Sequence, residues 1–226
     1  MFRARDSRVT PQRDSLPLAP MKTTLIILAL LAGYLWVVVP LVGVAHGIGA
    51  LAILAALAFC AWDNRREGGP WGFQRQALAP GLRWALGMTL PAVLLLLAVG
   101  WELGTVQRHD NMILWFGLLV VWALVQQFIL QTVVFREARE SFGRRAAFLV
   151  AAGFFALIHI PNPFLTPVTF LAGLGWCWLY ERNPNLIPLA LSHAAASFAA
   201  LIFLGPRITG GMHVGYSYFL AHGSFF

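Results

Sequence analysis

Several things are scarce in this chain, and each scarcity excludes something. Only 11% of the residues are charged, against 59% hydrophobic, which rules out an ordinary soluble domain. Cysteine is limited to Cys60 and Cys177, both in apolar segments and with no CxxC spacing. That excludes a disulfide framework or a thiolate metal site and leaves two buried structural thiols. The period-2 alternation of a membrane barrel is absent, and so is any internal repeat. No basic stripe interleaves with base-stacking aromatics, so the net charge of +7 does not point to a nucleic-acid partner. Lysine occurs once, at Lys22, and every other cation is arginine, a bias that correlates with GC-rich bacterial genomes.

What is present is long apolar runs. Crossing a hydrocarbon core of ~30 Å takes about 20 helical residues, and lipid admits only helices or closed barrels. Seven runs qualify or nearly do: 23–45, 47–62, 83–103, 112–135, 146–160, 164–180 and 186–204. The sequence therefore predicts an all-α polytopic membrane protein of about seven transmembrane helices. A flexible basic tail is expected over 1–22, a membrane-embedded domain over 23–204 and a Gly/aromatic-rich tail over 205–226. The arginines cluster before the first span, at Arg65, Arg66, Arg75 and Arg83, at Arg136, Arg139, Arg144 and Arg145, and at Arg182. The opposite loops hold only Arg108 and Arg207. The positive-inside rule then places the N-terminus in the cytoplasm and the C-terminus outside, with the charge serving loop bias and anionic headgroups; with the arginine bias, a bacterial inner membrane is expected. Met21-Lys22-Thr23 before an apolar run has the outline of a signal peptide. The run exceeds an h-region and no small-x-small site follows Pro40, so an uncleaved span is expected, with Met21 an alternative start to Met1.

The connections are read from turn chemistry. Gly47 and Gly49 mark the first turn, and Gly68 to Trp71 with Trp84 an interfacial segment. Pro91 is expected to kink the third span. Glu102, beside Trp101, reads as an interfacial carboxylate. The charged stretch Arg136–Arg145 reads as an extension of the fourth helix, and Pro161-Asn162-Pro163 ends the fifth. The segment after Gly205 is too broken to span and is expected at the outer interface or folded back into the bundle.

Polar groups at bilayer depth are costly and normally face a bundle interior. Gln126, Gln127 and Gln131 interrupt the fourth run, and Gln127 and Gln131 share one helix face. His159 follows Phe155 at helical spacing, and His193 lies in the seventh run after Ser192. Each glutamine taken singly reads as interhelical glue, and each histidine as a satisfied core residue. Together they read as an internal polar centre, with imidazoles able to act as base or acid. A catalytic zinc needs three protein ligands, and only Glu102 or His213 could add a third, so neither a metal nor another cofactor is expected. On these boundaries His159 lies nearer the outer end than Gln126 and His193.

The stretch from Val125 to Ser197 resembles the membrane-embedded CAAX-protease and bacteriocin-processing proteins, which are glutamic intramembrane peptidases. Phe155 and His159 match that family's Phe-x-x-x-His motif. His193 matches its later histidine, with Ser197 in the asparagine position. Leu171–Tyr180 resembles its small-residue helix, and Asn185–His193 its approach to that histidine. The core of the resemblance is about 112–204. The family's Glu-Glu-x-x-x-Arg motif is here Gln126, Gln127 and Gln131. The resemblance implies a peptidase fold in which glutamate activates water and the histidines hold the oxyanion. A carboxamide keeps the carboxylate's shape but not its basicity, and loss of a general base costs ~10²–10⁴-fold. The expectation is thus an intramembrane-peptidase homologue acting on a membrane-associated peptide or protein. His159, His193, Gln126 and Gln127 would be catalytic, and Gln131, Phe155 and Ser197 supporting. The alternative is an inactive homologue that serves as scaffold, binding or immunity-type protein. A different chemistry on a lipid tail has only the cavity to support it.

Overall fold

The computed structural model describes residues 21–66, 68, 70–107 and 110–223. The expected basic tail with Arg3, Arg5, Arg8 and Arg13 lies outside them except for Met21 and Lys22, as do Gly69, Arg108 and residues 224–226. The described residues are helical and contain no strand, only an isolated bridge between Phe73 and Asn185. In order come α1 (Lys22–Gly33, prolonged by a π turn Tyr34–Val38), α2 (Gly43–Arg66), α3 (Leu78–Glu102, entered through a 3-10 turn Arg75–Ala77) and α4 (Met112–Phe128). A π segment, Ile129–Phe135, joins α4 to α5 (Arg136–Leu157). Then follow α6 (Leu165–Arg182), α7 (Leu186–Thr209), a 3-10 turn Gly210–Met212 and a short α8 (Tyr216–His222). Four stretches are long and apolar enough to cross a membrane: Gly43–Asp63, Arg75–Glu102, Met112–Leu157 and Leu186–Met212. The chain is an all-α integral membrane protein.

The boundaries differ from the sequence expectation at three places. The first helix stops at Val38, not 45, because Pro40 removes a backbone donor and Gly43 turns the chain at φ +60°. Gly47 and Gly49 accordingly lie inside α2 and do not form a turn. The fourth and fifth spans form one 46-residue helical stretch, broken only at Gly143, which has φ 76° and ψ 174°. That conformation is open to glycine and strained for any other residue, so the chain reverses there, inside the charged run, which does not simply extend the fourth helix. α7 reaches Thr209 through a similar break at Gly205. α3 carries Pro91 in its interior.

α7 is the central helix. Its best apolar window is 56% buried, whereas those of α2 and α3 are each 6% buried and leave large apolar side chains facing outward. α7 packs along α3 and α4, and α5 packs along α6. Small residues permit the closest approaches: Ala123 of α4 meets Ala190 and Ala194 of α7. A Cβ on Gly100 of α3 would lie 2.2 Å from the Phe203 carbonyl oxygen, so only glycine fits there. The Thr105 hydroxyl closes the same crossing by donating to that oxygen at 2.7 Å. Leu130, Val133, Phe154, Phe155, Trp176 and Leu189 form the centre of the apolar core.

Charged residues fasten the arginine-rich end. Glu181 of α6 accepts bidentate hydrogen bonds from Arg144 at 2.8–3.0 Å and pairs with Arg139 at 3.1 Å, pinning the Gly143 reversal to α6. The bonds from Arg144 hold the Glu181 carboxyl below its usual range. Glu137 is only 7% exposed, and its carboxylate accepts from the Thr24 amide at 2.9 Å and the Thr24 hydroxyl at 2.8 Å. It caps the first turn of α1 from another helix, satisfying a backbone donor that α1 leaves open. Glu137→Ala strands both donors and is expected to cost about 1–3 kcal/mol. Glu137→Gln retains an acceptor and should cost less. Thermal unfolding of the detergent-solubilised protein checks the order, and equal stability of the two variants would remove Glu137 from this role.

At the other end the C-terminal segment folds back. Fully buried Asn162 accepts from the Phe164 and Leu165 amides, capping α6, while its Nδ2 donates to the Thr209 and His213 carbonyls at 2.8 and 2.9 Å. Gly215 N–H donates to the Ile160 carbonyl at 2.8 Å, and Phe219 packs on Trp36 of the first helix.

Candidate functional site

The reversal at Gly143 sets the height of the polar residues. Gln126 lies 17 residues before Gly143 and His159 lies 16 after it. On antiparallel helices of equal rise those two positions stand level. Gln126 and His159 accordingly line one cavity, and the offset between them expected from a later start of the fifth span does not arise. That offset followed from starting the fifth span at residue 146, when the return helix begins directly after Gly143.

Two cavities open on either side of the core. The first, about 300 Å³, lies between the α1–α2 pair and the α4–α5 pair, and Gln126, Phe155, His159 and Tyr34 are among its walls. The second, about 320 Å³, lies among α3, α6 and α7 and is lined by Thr89, Trp176, Ser192, His193 and Ser197. Phe155 is 1% exposed and links them. Its ring stands 4.7 Å from His159, 5.6 Å from His193 and 5.9 Å from Trp176, edge-to-face in each case. The two histidines thus meet one phenylalanine but face different cavities.

The three glutamines divide. Gln126 reaches the first cavity, whereas Gln127 and Gln131, 0% and 1% exposed, line neither. They pair with each other instead: Gln131 Nε2 donates to Gln127 Oε1 at 3.0 Å. Gln127 Nε2 and Gln131 Oε1 have no hydrogen-bond partner. Each amide is half satisfied, at a cost of about 1–3 kcal/mol for each unpaired group.

The two imidazoles are held differently. His159 Nδ1 lies 2.5 Å from the Phe155 carbonyl oxygen, one helical turn earlier. A carbonyl can only accept, so this nitrogen carries a proton and, in the neutral ring, Nε2 carries the lone pair. His193 Nδ1 is buried with no partner. Its ring is fixed by aromatic contacts, chiefly Trp176 at 4.4 Å and 32°. The Trp176 indole donates to Ser192 Oγ at 3.0 Å, and Ser192 Oγ lies 2.6 Å from Thr89 Oγ1.

The sequence offers nothing for Thr89, places Trp176 only within Leu171–Tyr180, and brings in Ser192 only as a neighbour of His193. Sixteen residues separate Trp176 from Ser192 and 103 separate Thr89 from it, so no motif spacing joins them. The one available signal was that an indole N–H at bilayer depth requires an acceptor. Among the described residues no three His, Cys, Asp or Glu side chains converge as metal ligands, so neither Glu102 nor His213 joins the histidines.

Chemically, the first cavity offers an amide and an imidazole to a carbonyl or a water. The second offers an imidazole and hydroxyls. Neither is lined by an Asp or Glu. No curated protein and no solved structure matches the chain. A family model described as type II CAAX prenyl endopeptidase Rce1-like matches residues 108–199, from the approach to α4 through the Gly143 reversal and α6 to the middle of α7. That segment carries Gln126, Gln127, Gln131, Phe155, His159, His193 and Ser197, and it is the part of the chain that is similar to the CAAX-protease family.

Proposed function

We propose that this protein captures a membrane-associated peptide or protein segment in the cavity of Gln126 and His159 and holds it without cleaving it. On this reading it is a disarmed member of its family, acting as a scaffold, binding or immunity-type protein. Its arginine distribution supports an N-terminus in the cytoplasm, and its arginine-over-lysine bias supports a bacterial inner membrane. The observation that carries the reading is the absence of any carboxylate from the walls of both cavities. It is joined by the neutral Gln127–Gln131 pair where the family has charge. An amide orients a carbonyl through its N–H but cannot take a proton from water near neutral pH, so binding survives the exchange and base catalysis does not.

One observation favours a second reading. The bond from His159 Nδ1 to the Phe155 carbonyl leaves Nε2 as the basic nitrogen. A water between it and a substrate carbonyl held by Gln126 would be activated by imidazole, giving a peptidase without glutamate.

A single comparison separates the two. Membrane-protein termini are mapped by mass spectrometry in a deletion strain carrying either the wild type or the His159→Ala/His193→Ala variant at matched levels. In parallel, a photo-crosslinking residue replaces Leu57, on the wall of the first cavity. The expected result is identical termini, a crosslinked membrane polypeptide, and a roughly tenfold lower adduct yield when Gln126→Ala removes a hydrogen bond of about 1.4 kcal/mol. A terminus that appears only with the wild type would replace capture by proteolysis and name the substrate.

A further inference from the structure

The two histidines differ in what fixes their rings. His159 is tied to a backbone carbonyl, whereas His193 Nδ1 has no partner. Without a hydrogen bond, an imidazole turns about χ2 until packing stops it, and the terminal torsion of histidine is broad. Two rings stop this one: Phe155 edge-on at 5.6 Å and 84°, and the Trp176 face at 4.4 Å and 32°.

The Trp176 face is in turn fixed by polar contacts. An indole N–H only donates, so Ser192 Oγ accepts from it at 3.0 Å. Ser192 keeps one O–H and a further lone pair for Thr89 Oγ1, 2.6 Å away on α3. Ser192 immediately precedes His193, yet its side chain holds the ring that holds its neighbour. Thr89, Trp176, Ser192 and His193 come from three helices and line the same cavity. Trp176 is 4% and Ser192 5% exposed, so little water competes for these bonds.

We infer that Trp176 is a positioning residue for His193, with its indole plane set by the Thr89–Ser192 hydroxyl pair. The inference rests on the reading of His193 as part of the functional site. The contact assigns one ring nitrogen to the second cavity and keeps it there. The assembly also couples α3, α6 and α7: a shift of α3 that breaks the Thr89 contact releases Ser192, then the indole, then the imidazole.

The test is spectroscopic and independent of any turnover. The whole protein is placed in lipid nanodiscs with isotope-labelled histidine rings, and His193→Gln identifies the His193 resonances. An imidazole lying close over an indole face, here at 4.4 Å and tilted by 32°, shows ring C–H signals displaced to low frequency. Ser192→Ala is expected to remove more than half of that displacement, and Ser192→Thr, which keeps a hydroxyl, to restore it. His222, stacked on Tyr218 at 4.3 Å, should not move and reports that the fold is intact. Where Ser192→Ala fails to fold, Thr89→Val decides, with a smaller change in the same direction expected. His193 signals unmoved in the folded hydroxyl variant, but moved in Trp176→Leu, would overturn the inference and leave contact without positioning. His193 moving while no captured segment is ever found would sustain the positioning and overturn the function proposed above. An unmoved ring beside a captured segment would do the reverse.

Discussion

Replacing Gln126 and Gln127 with glutamate and Gln131 with arginine together is expected to give this protein a peptidase activity that the wild type lacks. A general base contributes ~10²–10⁴-fold, and position 126 already faces His159 across one cavity. The buried pair decides whether the protein tolerates the change. Gln127 and Gln131 make one hydrogen bond and leave one donor and one acceptor unpaired. A carboxylate at 127 and a guanidinium at 131 would remove both orphans, since one only accepts and the other only donates. The single changes have no such compensation. Gln131→Arg alone buries a guanidinium without a counter-charge, and breaking a buried pair in this way costs about 3–5 kcal/mol. Gln127→Glu alone leaves a carboxylate with a single amide donor. The triple variant should therefore be more stable than either single variant and should alone release new termini in the mass-spectrometric assay. A triple variant that folds like the wild type and still yields no new terminus would show that the substrate groove, and not only the base, has been lost.

That polar side chains enter the core was legible because glutamine and histidine at bilayer depth are rare and costly, but their division between two cavities and a separate amide pair was not. The side-by-side placement of Gln127 and Gln131 followed from helix geometry, and the bond between them is present. The reversal between the fourth and fifth spans was read from charge, which marks where a chain meets water but not where it turns. The turn is made by Gly143, whose left-handed φ has no signature in composition. That one displacement changed the height of His159. The side of the helix that Gln126 takes was not legible. Gln126 and Gln127 are about 100° apart on a helix, and only the packed neighbours decide which one meets a cavity. The Trp176–Ser192–Thr89 chain was hidden for a different reason. It joins three helices at separations that no local pattern records, and hydroxyls and indoles occur in any membrane span. Glu137, read as one charge among many in Arg136–Arg145, is the cap of a helix 113 residues away.

At Phe155 two contributions to stability compete. Phenylalanine-to-alanine changes in soluble cores cost about 3–5 kcal/mol, from lost transfer out of water and from the cavity left behind. In a membrane the first contribution shrinks, because lipid tails are as apolar as the protein interior and an unfolded segment still keeps its side chain out of water. The second remains whole: three aromatic neighbours at 4.7–5.9 Å lose their contact atoms, and the site is walled by packed helices. Phe155→Ala is therefore expected at the low end, about 3 kcal/mol, measured by unfolding of the purified protein in detergent. Its structural consequence is larger than its energy. Phe155 is the shared neighbour of two histidines that line separate cavities, and its removal would join those cavities around both imidazoles. A cysteine-reactive probe confined to the second cavity in the wild type should then reach a cysteine placed at Ile129, on the wall of the first. Loss of stability without that new access would mean that the neighbouring rings collapse into the space, and Phe155 would then be packing alone and not a partition between the two chambers.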